Sequence, residues 1–157
     1  MCKVTMKYEK YFELAETHAR LFSKDPRTKV ACIILSREPH VILSTGYNGM
    51  PRGLPEVWEQ PMKDLYVVHA ETNAVYNAAR VGASLTDSIA VVTLFPCLSC
   101  AKALVQSGVR TVVTKEPDYS DPKWGEQFRL SKQLFEQLGI EIIQPQNDPS
   151  VPPHLDT

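Results

Sequence analysis

No apolar run in this chain of 157 residues approaches the roughly 18 residues that a membrane-spanning helix needs. The N-terminal MCKVTMKYEK lacks the apolar stretch of a secretory signal, so a cytoplasmic location without a membrane partner is expected. A basic excess is missing as well. The formal net charge is −1, whereas a protein that grips a long nucleic acid carries cations to meet its phosphates. This weighs against polymeric nucleic acid, tRNA included, and in favour of a small substrate. Cysteine is scarce, with four in all, two of them in a C-x-x-C. Inside a cell that pattern reads as metal ligands and packed thiols, not as a disulfide framework. Cys32, in the apolar run Val30 to Leu35, reads as a buried inert thiol and Cys2 as a terminal residue. Internal repeats are absent too.

What is present is an ordinary globular composition, 43% hydrophobic and 22% charged, in a length that suits one domain with a proper core. Tyr8, Tyr11, Phe12, Ala15, Ala19 and Phe22 recur at helical spacing and predict a helix over 8–23, ended by Asp25-Pro26. Two Val/Ile-rich runs, 30–35 and 41–47, flank Ser36-Arg37-Glu38-Pro39-His40 and read as a β-hairpin. Residues 46–55 hold three glycines and two prolines and are expected to lack regular structure. Residues 62–68 lead into a helix over 69–81 closed by Gly82, with Ala70, Ala74, Val75 and Ala78 inward. A strand over 88–94 follows, then a helix over 97–107 opened by Pro96 and closed by Gly108, and a strand over 109–114. After a polar loop over 115–124, a helix over 125–138 turns Phe128, Ser131, Leu134, Phe135 and Leu138 inward and feeds a short strand over 140–143. Strands joined through helices pair in parallel. The expectation is an α/β protein, a three-layer α/β/α sandwich around a mixed sheet of about five strands. One domain covers 1–144, and 145–157 is a Pro-rich tail, disordered or laid over the surface.

The chemistry concentrates in His69-Ala70-Glu71 and Pro96-Cys97-Leu98-Ser99-Cys100. A catalytic zinc ion takes three protein ligands, here His69, Cys97 and Cys100, and keeps a fourth position for water. Both pieces fall at helix starts, where free N–H groups and the helix dipole favour thiolates. Glu71, two residues past the histidine, is left beside the metal as a proton carrier. H-x-E with P-C-x-x-C is the known signature of the zinc nucleobase deaminases. The competing reading is a closed structural zinc site. It needs a fourth Cys or His, and His18, His40, Cys2 and Cys32 sit in unrelated contexts. Glu71 as a mere helix cap is a second alternative.

The run Gly46-Tyr47-Asn48-Gly49-Met50-Pro51, then His69 to Ala74, then Pro96 to Lys102 resembles the deoxycytidylate deaminases of the cytidine deaminase superfamily, over most of the chain. The Gly-Tyr-Asn-Gly loop and the Cys-Ala-Lys continuation set this resemblance apart from tRNA adenosine, free-nucleoside and riboflavin-pathway deaminases. It implies zinc-dependent hydrolysis of dCMP to dUMP and ammonia, feeding dTMP synthesis. The alternatives are a deaminase of another cytosine or adenine compound, or a catalytically idle nucleotide-binding zinc protein. Glu71 would be catalytic, and Ala70 and Pro96 would border the substrate. Asn48 would contact the sugar, although Asn-Gly is also a common turn. A 5′-phosphate would meet the cluster Ser23, Lys24, Arg27, Thr28 and Lys29, with Arg27 first, and Tyr119 by resemblance; the bland alternative for each is a plain surface residue. The resemblance further implies a homo-oligomer, a hexamer, activated by dCTP and inhibited by dTTP. The effector site would include Tyr47, Asn48, Gly49 and Arg52, with Mg2+ accompanying the triphosphate. Two departures stand out. Ala31-Cys32 replaces a common Gly-Ala, and the segment between Gly53 and Met62 has no His or Cys for a second, structural zinc.

Overall fold

The computed structural model describes residues 5–38 and 40–145, with side chains from Tyr8 onward. Cys2 and residues 146–157 of the expected tail lie outside the described residues. The elements run α1 (Thr5–Phe22), β1 (Ala31–Leu35), β2 (Ile42–Tyr47), α2 (Met62–Tyr66), α3 (Ala70–Val81), β3 (Ser88–Val92), α4 (Leu98–Ser107), β4 (Val109–Val113), α5 (Gly125–Gln137) and β5 (Glu141–Ile143). The sheet order is β2-β1-β3-β4-β5. β1 pairs antiparallel with both β2 and β3, while β3/β4 and β4/β5 are parallel. Among the described residues no helix is long and apolar enough to cross a membrane.

The central strands read as unbroken apolar runs because both of their faces are covered. Alternation then decides which layer each side chain joins. Ile33, Leu35, Ile89 and Val91 pack with Tyr8, Phe12 and Ala15 of α1. Their neighbours Cys32, Ile34, Ala90 and Val92 pack with Ala74 of α3, Leu104 of α4, and Phe128 and Phe135 of α5. Helices therefore lie on both faces of a five-stranded mixed sheet.

α3 lies unusually close to β2. A Cβ on Gly46 would stand 2.3 Å from the Ala74 nitrogen and 2.4 Å from the Ala70 oxygen. Only a residue without a side chain admits that approach. Ser44 Oγ donates to the Ala74 carbonyl at 2.6 Å and fixes the same contact. At the far end of α4, Gly108 takes a left-handed conformation (φ 105°) and stops the helix.

Several boundaries differ from expectation. Gly46 and Tyr47 belong to β2, and Gly49 bridges to Val68, so the glycine-rich stretch is not wholly irregular. Residues 62–66 form a short helix, α2, whose side chains are none of them buried and which therefore shows no core-facing pattern. Leu138 follows the last turn of α5 and is exposed.

Candidate active site

Two helix entrances meet at the end of β3. His69 caps α3 with an extended backbone (φ −67°, ψ 154°), and Cys97 caps α4 in nearly the same conformation (φ −67°, ψ 166°). Both residues thus stand just before their helices, not inside the first turn as their spacing suggested. Cys100 follows as the third residue of α4. Cys97 Sγ and Cys100 Sγ each lie 3.5 Å from His69 Nδ1, and the three ligand atoms fall within 4.8 Å of one another. Zinc bonds of roughly 2.3 Å to sulfur and 2.0–2.1 Å to nitrogen, at a tetrahedral angle, hold such atoms about 3.6 Å apart. The donor set fits zinc, and no fourth His or Cys joins the cluster among the described residues.

The electrostatics suit the same ion. The Cys97 thiol is pulled down to about 4, first by the hydrogen bond from Cys100 and, against burial, by His69. The proton retained on Cys100 is held tightly because its partner carries the charge. Hydrogen bonding to Cys97 raises the His69 imidazole in turn. A bound cation replaces this shared proton and leaves both thiols deprotonated. Glu71, the second residue of α3, is only 4% exposed. Burial lifts its carboxyl to about 7, and the Cys97 charge adds to the lift. Cys32, on the strand below, is fully buried, and burial raises its thiol well above the ordinary range.

A cavity of about 270 Å³ opens onto this cluster. His69, Ala70, Glu71 and Cys97 form its floor, with Leu94, Phe95, Trp124 and Phe128 as apolar wall and Asp25, Arg27, Lys63, Asp64 and Lys123 among its charged lining. Trp124 meets His69 edge-on, ring centroids 5.7 Å apart. Arg27 lines the cavity from an exposed position and has no ion-pair partner among the described residues. Pro96 is buried next to the ligand Cys97 without lining the cavity.

Asn48 also lines the cavity, but its amide is committed to the protein. Oδ1 accepts from Ser23 Oγ at 2.7 Å and from the Val30 N–H at 2.9 Å. Nδ2 donates to Asp25 Oδ2 at 3.2 Å and to the Thr28 carbonyl at 2.8 Å. The group offered by the sequence to a sugar thus holds the 23–30 loop in place, and it is no simple turn residue. Ser23 is buried in this network, so of the expected phosphate cluster it is Arg27 and Thr28 that line the cavity.

Tyr119 is not brought to this cavity. It lines a separate one with Glu116, Lys132 and Glu136, beneath Arg129 and Lys132 at 5.6 and 5.8 Å from its ring centre. Of the expected effector residues, Tyr47 and Arg52 are exposed beside α3, whereas Asn48 and Gly49 are buried. Tyr47 is exposed and stacks on Phe22, Gly49 pairs with Val68, and Arg52 donates to Asn77 Oδ1 at 2.6 Å.

The residues that sequence reasoning missed are Asp25, Lys63, Asp64, Lys123 and Trp124. Asp25 read only as a helix stop, while in the structure it is 1% exposed and paired with Lys63 Nζ at 2.6 Å. The one available signal was a tryptophan at the end of an otherwise polar loop, since loops set on a rigid scaffold carry binding groups.

Comparison with known proteins agrees with this geometry. The profile of the cytidine and deoxycytidylate deaminase zinc-binding region matches residues 5–116. A probable deoxycytidylate deaminase of Caenorhabditis elegans is 35% identical over 150 residues, covering 89% of this chain and 72% of the relative. The human deoxycytidylate deaminase is 31% identical over 144 residues, covering 86% and 78%. Among solved structures, the dCMP deaminase of cyanophage S-TIM5 in complex with dCMP and dUMP superposes with a TM-score of 0.75 at 27% identity, covering 92% of this chain and 98% of that one. The chain belongs to the family of zinc-binding cytidine and deoxycytidylate deaminases.

Proposed function

We propose that this protein hydrolyses dCMP to dUMP and ammonia, and that the dUMP feeds synthesis of dTMP. The observation that carries the reading is the three-ligand set with the buried Glu71 carboxyl beside it, at the floor of a cavity sized for one small molecule. His69, Cys97 and Cys100 would hold zinc, which when bound lowers the pKa of a water toward neutrality. Glu71 accepts one proton from the attacking water at its carboxylate and delivers it to ring N3, then takes the second proton from the hydroxyl now on C4 and delivers it to the departing amine, which leaves as ammonia. A carboxyl poised near neutrality exchanges protons in both directions at cellular pH. Trp124 and Phe128 exclude water around the base, and Arg27 meets the 5′-phosphate. Water enters and ammonia leaves, with no other reactant required.

The regulatory reading is that of a homohexamer activated by dCTP and inhibited by dTTP, Mg2+ travelling with the triphosphate. It is supported by the resemblance and by the exposure of Tyr47 and Arg52 at the surface. Asn48 links that surface to the cavity, because its backbone follows Tyr47 and its side chain holds the 23–30 loop.

The test is ammonia release by zinc-loaded protein from dCMP, CMP, deoxycytidine and dCTP, each with and without dCTP as effector. Turnover is expected to be greatest with dCMP, with sigmoidal kinetics that dCTP makes hyperbolic. Absence of release from dCMP sinks the substrate assignment, and hyperbolic kinetics indifferent to both triphosphates sinks the regulation.

A further inference from the structure

Three cations line the cavity, and they differ in how firmly they are held. Lys63 is locked: its ammonium lies 2.6 Å from Asp25 Oδ2, with the side chains only 16% and 1% exposed. Separating that pair would strand a buried carboxylate, which is strongly unfavourable. Arg27 is without an ion-pair partner among the described residues. Lys123 lies between these extremes. It pairs with Asp64 at 3.0 Å, but the two side chains are 53% and 49% exposed, and such a pair is cheaply opened. Asp64 belongs to α2 and Lys123 to the loop before α5, so the pair joins two separate segments that both line the cavity. Lys123 Nζ also sits 5.2 Å from the ring centre of Trp124, whose edge meets His69.

We propose that Lys123 is a specificity-determining residue that reads the 5′-phosphate of the substrate, and that Asp64 is its built-in competitor, holding the ammonium until a phosphate takes it over. The inference rests on the nucleotide-deaminase reading above and adds the residues that select a nucleotide over a nucleoside. A phosphomonoester carries more negative charge than one carboxylate and offers three acceptor oxygens, so it outcompetes Asp64 for a half-exposed lysine. A nucleoside has nothing to offer Lys123 and leaves the pair closed. One loop thereby presents an aromatic ring beside the zinc ligands and a cation next to it in sequence, matching the base and phosphate of one nucleotide.

The experiment compares zinc-loaded wild type, Lys123→Met and Asp64→Asn on dCMP and deoxycytidine, with dUMP binding measured by calorimetry. Loss of one charge-assisted contact in Lys123→Met is expected to raise the KM for dCMP, and weaken dUMP, about tenfold or more. Its kcat/KM for deoxycytidine is expected to stay within about twofold of wild type. Asp64→Asn is expected to act oppositely, lowering the KM for dCMP severalfold and leaving deoxycytidine unchanged. An exposed pair contributes little to folding, so both variants are expected to keep the wild-type Tm. The inference is overturned if Lys123→Met leaves the dCMP KM and dUMP binding unaltered, if it depresses both substrates equally, or if Asp64→Asn raises the dCMP KM. Wild-type protein that releases no ammonia from dCMP instead overturns the substrate assignment, and this inference with it.

Discussion

Glu71 and Asp25 are two buried carboxyls in one cavity with opposite charge environments. Glu71 has burial against it and a thiolate beside it, and its pKa rises to about 7. Asp25 is also pushed up by burial, but the Lys63 ammonium and the N–H groups of Arg27 and Thr28 outweigh that and hold it below the ordinary aspartate value of 3.8. The first environment suits a group that takes and gives protons, the second a permanent charge that organises a loop. Replacing Glu71 with Ala is therefore expected to lower kcat by about 10²-fold or more while zinc remains bound. Metal analysis beside turnover checks this, and substantial activity in a zinc-replete variant rules out the assigned role. For Asp25 the expectation concerns stability. A depressed folded pKa contributes stability that is present above the unfolded value of 3.8 and is lost as pH falls through the lower folded value. Tm measured across the acid range is expected to fall in wild type within that window and to fall less steeply in Asp25→Asn. Parallel acid limbs would refute the role. Lys63→Met, which leaves the Asp25 charge buried and unpaired, is expected to cost about 3–5 kcal/mol at neutral pH.

At the level of elements, the strands and long helices were legible because each carries its own periodic signal. Alternate residues of β1 and β3 join opposite core layers, and α1 shows its stripe in Tyr8, Phe12 and Ala15. α2 was not legible: it is five residues long, buries no side chain, and is defined by where it leads the chain. The cap positions of His69 and Cys97 were equally hidden, since neither histidine nor cysteine is among the residues that favour an N-cap and neither makes a side-chain capping bond. The function of Gly46 in the α3–β2 contact could not be read from a glycine-rich motif either, because the motif suggests a loop while the constraint comes from the helix packed across the strand. That contact positions the helix start bearing His69 and Glu71. Gly46→Ala places a Cβ 2.3 Å from backbone and forces α3 away from β2. Overpacking of this kind costs about 1–3 kcal/mol or more, so a lower Tm is expected together with reduced zinc retention at limiting metal. A Gly46→Ala protein with wild-type Tm and zinc affinity would show that α3 does not depend on this approach.

Across the whole molecule, the ligand set was legible because its spacing is local, whereas the charged lining of the cavity was not. Asp25, Asp64 and Lys123 lie on three segments far apart in sequence, and only the fold brings them to one cavity. The same separation gives the zinc site a second consequence. His69 caps α3 and Cys97 caps α4, with β3 running between them in sequence. A metal held by both ties the two helix entrances together and binds the native arrangement in preference to the unfolded chain. Free zinc at a hundredfold above its Kd then stabilises the fold by about 2.7 kcal/mol. For a domain of this size each kcal/mol moves Tm by about 2–4 °C, so removal of zinc by a chelator is expected to lower Tm by about 5–10 °C and to abolish turnover. Cys97→Ser, which lacks one ligand, is expected to start near the chelated value and to respond little to chelator. If wild-type protein shown to have lost its zinc keeps its Tm, the metal is not part of what holds α3 and α4 in register, and the site is preformed by packing alone.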